Sequence, residues 1–351
     1  RDFVEIPNPR LWWPNGMGEQ PLYGVAARVT DDAGVVCDER RMRIGLRTIA
    51  IDRAPLKEGS RFCLRVNGRD VFCRGGNIGP HDMIPARISD AKYEALVAEA
   101  RNANMNMLRI NGCSIFEGPA FYDACDRLGI LVWHDFMLTC TTYPEENAAF
   151  RRAVCAETEA AVGLLRRHPS IALWCGNNEC HWGFVDWWNP DKSKPLDLGG
   201  QALYNQLIPD ICRRLDPRRP YWPSSPCGDA SPNGELAGDC HWWHPFFMNP
   251  DVNRRIRHET FDECRARFVS EYGVIGPCHL DSILEYLAPE DLRPDCTAWR
   301  VHTNTFEKET VPAAIRRHYA DPEKLSVPEY VLYGQMFQAV IHGHAMEALR
   351  F

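Results

Sequence analysis

The chain has 351 residues, 45% hydrophobic and 25% charged, an ordinary globular composition with room for one barrel of about 250 residues and a smaller unit. A formal net charge of −7 argues against a nucleic-acid partner, and no apolar run approaches the roughly 20 residues of a membrane span. The 15 cysteines are odd in number and scattered, some of them inside apolar strands (Cys73, Cys175). They argue against a disulfide framework and for free thiols in a reducing compartment, which favours a cytoplasmic setting.

Residues 1 to about 65 read as β structure. Tyr23 to Thr30 is strand-like and turns through Asp31-Asp-Ala-Gly34 into Val35 to Arg41, a hairpin; Gly45 to Ile51 and Phe62 to Val66 follow. This is too little for a sandwich of its own and reads as the second half of one. The start, Arg1-Asp-Phe-Val, is not a signal peptide and reads as a fragment boundary.

From residue 66 strands and helices alternate. Val71 to Arg74 is the first strand, running into Gly75-Gly-Asn-Ile-Gly79; Ser89 caps a helix with Tyr93, Leu96, Val97 and Ala100 at helical spacing. Met107 to Ile110 is the second strand, Pro119 to Leu128 a helix closed by Gly129, and Ile130 to Asp135 the third strand. A helix over 145–167 turns Phe150, Val154, Ala161, Leu164 and Leu165 inward. The fourth strand, Ile171-Ala-Leu-Trp-Cys175, lacks polar alternation, which suits burial on both faces. A Trp-rich loop, Cys180 to Gly200, and a helix from Gln201 to Leu215 follow. Tyr221 to Ser225, Asp239 to Trp242 and Arg267 to Glu271 read as strands five to seven, and Pro328 to Leu349 as the last helix, with Tyr333, Phe337, Val340 and Ile341 on its inner face. The pattern is that of an α/β chain building a (β/α)8 TIM barrel, short of its last strand. An open barrel would leave unpaired edges and make this piece marginally stable on its own.

Two strands end in glutamate, Glu179 after Gly176-Asn-Asn and Glu271 after Val269-Ser. Strand ends at the mouth of a parallel barrel are where that fold keeps its chemistry, and a pair of carboxylates is what glycoside hydrolysis requires. The 11 tryptophans, many beside polar loop residues, offer faces to sugar rings. His342-Gly-His344 and the pair His241 and His244 are the histidine groups that a metal reading would use. With no CxxC pair present, no metal is expected.

Longer stretches resemble glycoside hydrolase family 2, in particular its β-mannosidase branch. Leu11-Trp-Trp-Pro-Asn-Gly16, Gly18-Glu-Gln-Pro-Leu-Tyr23 and Ile44-Gly-Leu-Arg47 are similar to that family's Ig-like domain. Ala103 to Arg109, Phe121 to Trp133, Asp135-Phe-Met137, His168 to Glu179 and Phe268-Val-Ser-Glu-Tyr-Gly273 continue the likeness into its catalytic barrel. It implies two domains, 1–65 as the C-terminal part of an Ig-like β-sandwich and 66–351 as a truncated TIM barrel, with a sugar-binding jelly roll before them.

The resemblance implies a retaining exo-β-glycosidase without cofactor, acting on a β-linked carbohydrate, with Glu179 as acid/base and Glu271 as nucleophile. Asn178 would meet the sugar 2-hydroxyl, Trp187 would line a subsite, and His241 and Trp243 would border the sugar. Tyr272 follows the nucleophile. Arg109 would either hold the nucleophile ionised or form a structural ion pair. Asp135 would contact substrate or pair structurally, and Asn111 stands at a strand end near the sugar. In two places the chain departs from the mannosidase pattern. Arg109-Ile-Asn-Gly-Cys113 stands for Arg-Val-Trp-Gly-Gly, and Asn77-Ile-Gly-Pro80 for Asn-Trp-Ile-Pro. Both remove aromatic surface near the glycone, so β-glucosaminide, β-galactoside and β-glucuronide remain alternative substrates, and a non-catalytic carbohydrate-binding relative the alternative class.

Overall fold

The structure is a computed structural model describing residues 4–188, 200–228, 231–243, 246, 248–303 and 307–350. Two compact units divide it, Arg1–Cys240 and His241–Phe351.

The first unit begins with an antiparallel ribbon, β1 (Tyr23–Thr30) and β2 (Val36–Ile44), and a three-stranded antiparallel sheet, β3 (Ile49–Asp52), β4 (Cys63–Val66) and β5 (Arg69–Val71). The Trp-Trp-Pro-Asn and Gly-Leu-Arg motifs dock this part onto the α/β region of the same unit. Trp12 is fully buried with its indole N–H on Asp126 O (2.7 Å), Asn15 Nδ2 donates to Met105 O (2.9 Å), and Arg47 donates to Pro169 O (2.9 Å) and Ile171 O (2.6 Å).

A five-stranded parallel sheet in chain order carries the site: β6 (Gly75–Ile78), β7 (Met107–Ile110), β8 (Leu131–Asp135), β9 (Ile171–Cys175) and β10 (Tyr221–Trp222). All residues of β7, β8 and β9 are buried, and β9 is the apolar run without alternation that such burial suits. The helices are α1 (Asp90–Asn102), α2 (Pro119–Leu128), α3 (Ala148–Leu165), α4 (Cys180–Asp186) and α5 (Ile208–Leu215). Tyr93 and Val97 of α1 and Phe121 and Tyr122 of α2 pack with Leu108, Ile110, Val132 and Trp174 of the sheet in one core. The helix ends follow local chemistry. Ser89 Oγ accepts from Lys92 N, and Gly129 closes α2 at φ 75, where a Cβ would meet Asn15 N at 2.7 Å.

The second unit holds β12 (Val269–Glu271), beside β11 (Cys240–His241), and α6 (Val252–Arg255), α7 (Leu280–Leu284), α8 (Thr297–His302), α9 (Glu307–His318) and α10 (Val327–Ala348). Ile283, Leu287, Trp299, Val311, Ile315, Tyr330 and Val331 form its own core. The Ser326–Glu329 capping box starts α10.

Three sequence expectations are corrected. The first parallel strand is not Val71 to Arg74 but Gly75–Ile78. Val71 ends the antiparallel β5, and a Cβ on Gly75 would sit 1.9 Å from Met107 O, so the strand starts on glycines that read as a loop. Leu164 points outward and is 71% exposed. The buried stripe of α3 runs through Thr158, Ala161 and Val162, with Leu164 roughly 100° from its centre by helical pitch. Thr158 belongs to that stripe because its hydroxyl is spent on Val154 O at 2.7 Å. On α10, Val340 is 52% exposed, off the stripe of Tyr330, Gly334, Phe337 and Ile341. The helices α4, α6, α7, α8 and α9 were not anticipated. None of the fifteen cysteines forms a disulfide.

Candidate active site

Parallel strands in register deliver their C-terminal ends to one edge of the sheet, and six polar residues meet there: Asn77, Arg109, Asn111, Asp135, Asn178 and Glu179. The hub is the buried pair Arg109–Asp135. Arg109 Nη2 and Nε donate to the two carboxylate oxygens at 2.7 and 3.3 Å, and both side chains are shut from solvent. Trp133 Nε1 (3.0 Å) and Gly112 N (3.0 Å) donate to the same carboxylate. Burial pushes Asp135 up, while the Arg109 charge and these donors oppose it. Every one of these partners offers a hydrogen, so Asp135 acts as the carboxylate.

Arg109 also fixes the residue beside the candidate acid. Its Nη2 donates to Asn178 Oδ1 at 2.8 Å, and Asn111 Nδ2 donates to the same oxygen at 3.1 Å. Asn178 Nδ2 faces Thr139 Oγ1 at 3.2 Å and Cys140 Sγ at 3.5 Å. The amide orientation is thereby set by donors on one side and acceptors on the other. Asn77 Oδ1 takes Arg109 Nη1 at 3.1 Å. Gly112 lets this cluster close, since a Cβ there would lie 2.4 Å from Leu138 O.

Glu179 follows directly. Its backbone N donates to Ser225 O at 2.7 Å, and its φ of 60° places it in the left-handed region. That conformation costs a non-glycine residue about 1–2 kcal/mol and turns the chain sharply from β9 into α4. Cys140 Sγ lies 3.2 Å from Glu179 Oε2. Trp187 caps α4 at its C-terminal end, 38% exposed, its ring 4.8 Å from Trp182 and 6.0 Å from Trp188. The loop beyond, 189–199, and His244 lie outside the described residues.

In the second unit Glu271 ends β12. Its carbonyl accepts from Trp242 N at 2.8 Å, and its Oε2 lies 3.3 Å from both His241 Nδ1 and Trp243 Nε1. Three of the expected residues thus meet there. Tyr272 does not join them. It turns to Phe261 (5.8 Å) and His342 (6.1 Å), and burial raises its phenol and lowers the His342 imidazole. His344 engages Asp262 Oδ1 at 2.9 Å, so His342 and His344 serve different partners.

Sequence reasoning missed Thr139 and Cys140, whose loop follows Asp135 and carries no signal of its own. Ser225 was read only as a strand end.

A family model for glycosyl hydrolases family 2 matches residues 2–47. The β-mannosidase B of Thermothelomyces thermophilus is 36% identical over 280 residues, 77% of this chain and 32% of the relative. That of Aspergillus terreus is 32% identical over 297 residues, 82% and 34%. The chain thus spans about a third of the length of these curated relatives. The crystal structure of the β-D-mannosidase from Dictyoglomus thermophilum is similar with a TM-score of 0.90 at 35% identity, over 98% of this chain and 41% of that one. By these identities and coverages the chain belongs to glycosyl hydrolases family 2, on its β-mannosidase side.

Proposed function

We propose that this chain supplies the catalytic part of a retaining exo-β-glycosidase of the β-mannosidase kind. Residues 66–351 are read as a TIM-type barrel and 1–65 as the end of an Ig-like β-sandwich. Five parallel strands in chain order, all ending at one polar edge, support the first, and the antiparallel ribbon with its docking motifs supports the second. The observation that carries the functional reading is the strand-end cluster on β9, where a buried Arg109–Asp135 pair orients Asn178 and Glu179 projects next to it.

The chemistry assigned to it is double displacement. The Glu271 carboxylate attacks the anomeric carbon while the glycosidic C–O bond breaks and Glu179 gives its proton to the leaving oxygen. Water then attacks the glycosyl-enzyme ester, Glu179 takes that water's proton, and Glu271 departs as carboxylate. Trp243 Nε1 donates to Glu271 Oε2, and His241 Nδ1 stands 3.3 Å from the same oxygen. Both lone pairs of Asn178 Oδ1 already serve Arg109 and Asn111, so a sugar 2-hydroxyl would bind through Nδ2 in competition with Thr139 and Cys140. Trp187 is assigned to a subsite wall, and Asp135 and Arg109 to support of Asn178.

Asn111 stands where the mannosidase pattern has tryptophan, which favours a second reading within the class: a β-glucosaminide, β-galactoside or β-glucuronide substrate. The test is a panel of aryl β-glycosides on the full natural chain, with a 2-deoxy-2-fluoro glycoside to trap the ester and mass spectrometry to find it. Label on the peptide holding Glu271 is expected. Label elsewhere sinks the nucleophile assignment, and sugar binding without hydrolysis of any substrate favours a lectin-like relative.

A further inference from the structure

The loop after β8 carries a thiol that the double displacement leaves unused. Thr139 bridges Asn178 in parallel fashion, and Cys140 N donates to Asn178 O at 3.0 Å while Asn178 N donates to Leu138 O at 2.9 Å. This pairing locks Cys140 against the end of β9. Cys140 has a φ of 41° and Glu179 a φ of 60°, so two side-chain-bearing residues sit in the left-handed region on either side of one bridge. Such strain is kept only where the surroundings over-determine it, and it fixes where both side chains point.

The sulfur has three polar neighbours: Glu179 Oε2 at 3.2 Å, Thr139 Oγ1 at 3.3 Å and Asn178 Nδ2 at 3.5 Å. The hydroxyl and the amide both donate to it. The one hydrogen of the thiol is therefore directed to the carboxylate. Desolvation, and then the nearby Glu179 charge, push the Cys140 thiol up to about 11, so it keeps its proton across the neutral range.

We propose that Cys140 is a positioning residue for the acid/base: its S–H donates to Glu179 Oε2 and so sets both the direction and the acidity of that carboxyl. The proposal rests on the reading of Glu179 as acid/base. A donor to the charged form lowers the pKa of Glu179; removing it raises that pKa. The alkaline limb of the kcat/KM profile follows the protonated acid, so it moves to higher pH when the thiol is lost. The hydroxyl of serine can make the same bond.

The test uses Cys140→Ala, Cys140→Ser and Glu179→Ala in the full natural chain, with 4-nitrophenyl and 2,4-dinitrophenyl β-glycosides. Cys140→Ala is expected to shift the alkaline limb upward by about half a pH unit or more, the size of a weak hydrogen bond to a charge. Cys140→Ser is expected to hold the limb at or below the wild-type position. An unmoved limb in Cys140→Ala, or an upward shift in Cys140→Ser, overturns the proposal; the serine variant decides alone if the alanine variant does not fold. Glu179→Ala separates the two readings. If it spares the dinitrophenyl substrate and is rescued by azide while the Cys140 limb stays put, only the role of Cys140 falls. If it is indifferent to leaving group and azide, the acid/base assignment falls with it.

Discussion

The ends of β9 and β12 each present a glutamate, and they hold it by different means. Beside Glu179 the framework is buried and ionic: Asp135 and Arg109 are closed to solvent, and Asn178 is pinned from several strands. Beside Glu271 it is short and aromatic: β12 has three half-buried residues, and an imidazole and an indole flank the carboxylate. Removing a partner inside a buried pair strands a charge in low dielectric, whereas removing a neutral donor beside a carboxylate that keeps 11% exposure lets water reach it. Substitutions around Glu179 are therefore expected to cost stability together with activity, and those around Glu271 activity with little loss of stability.

The largest effect is expected at Glu271 itself. Glu271→Gln keeps shape and should lower turnover roughly 10⁴-fold or more, while the urea midpoint stays near wild type. Normal turnover in this variant would remove Glu271 from the mechanism. Next, Arg109→Leu or Asp135→Leu should destabilise by about 3–5 kcal/mol in urea unfolding, and the double variant by less than the sum of the two. Strict additivity would mean that the pair is not coupled.

A pH effect on stability is expected on the β9 side. His134 is fully buried; its Nδ1 donates to Asp135 O (2.8 Å), which leaves Nε2 to accept from Tyr122 Oη (2.9 Å). Burial lowers this imidazole to about 4. The folded value lies below the unfolded one near 6.5, so its neutral form stabilises fully above about pH 6.5 and that contribution is lost as pH falls toward 4. The loss amounts to roughly 3 kcal/mol. Urea midpoints of the wild type and His134→Phe between pH 7 and 4.5 check this; the variant should show the shallower acid slope, and equal slopes would count against it. The smallest effect is on the β12 side. Trp243→Phe deletes the indole N–H beside Glu271 and should lower kcat/KM by about 10- to 100-fold, with stability within about 0.5 kcal/mol. A large drop in stability there would erase the contrast between the two strand ends.

Much of the site's address was legible in the residues. Ile171 to Cys175 announced a strand buried on both faces because nothing in it needs water, and the polar break at Gly176-Asn-Asn-Glu marked where it must leave the core. Ser89 and Gly129 marked helix ends because their own backbone and side chain do the capping. Gly75-Gly76 was misread because glycine in a strand answers to its neighbour, here the Met107 carbonyl, which the local sequence does not show. Leu164 was misplaced and Thr158 passed over because hydrophobicity was taken for direction, although a hydroxyl that bonds its own helix can be buried.

The sequence by itself determined where most strands and helices of residues 66–240 lie and which strand ends offer a glutamate, since hydrophobic period, capping and motif order are local properties. Tertiary structure alone decided that Arg109 pairs with Asp135, that Asn178 is turned by Arg109 and Asn111, and that the Cys140 thiol meets Glu179. Those contacts join residues far apart in the chain, and hydrogen-bond geometry exists only once the parallel strands have brought their ends to a common edge.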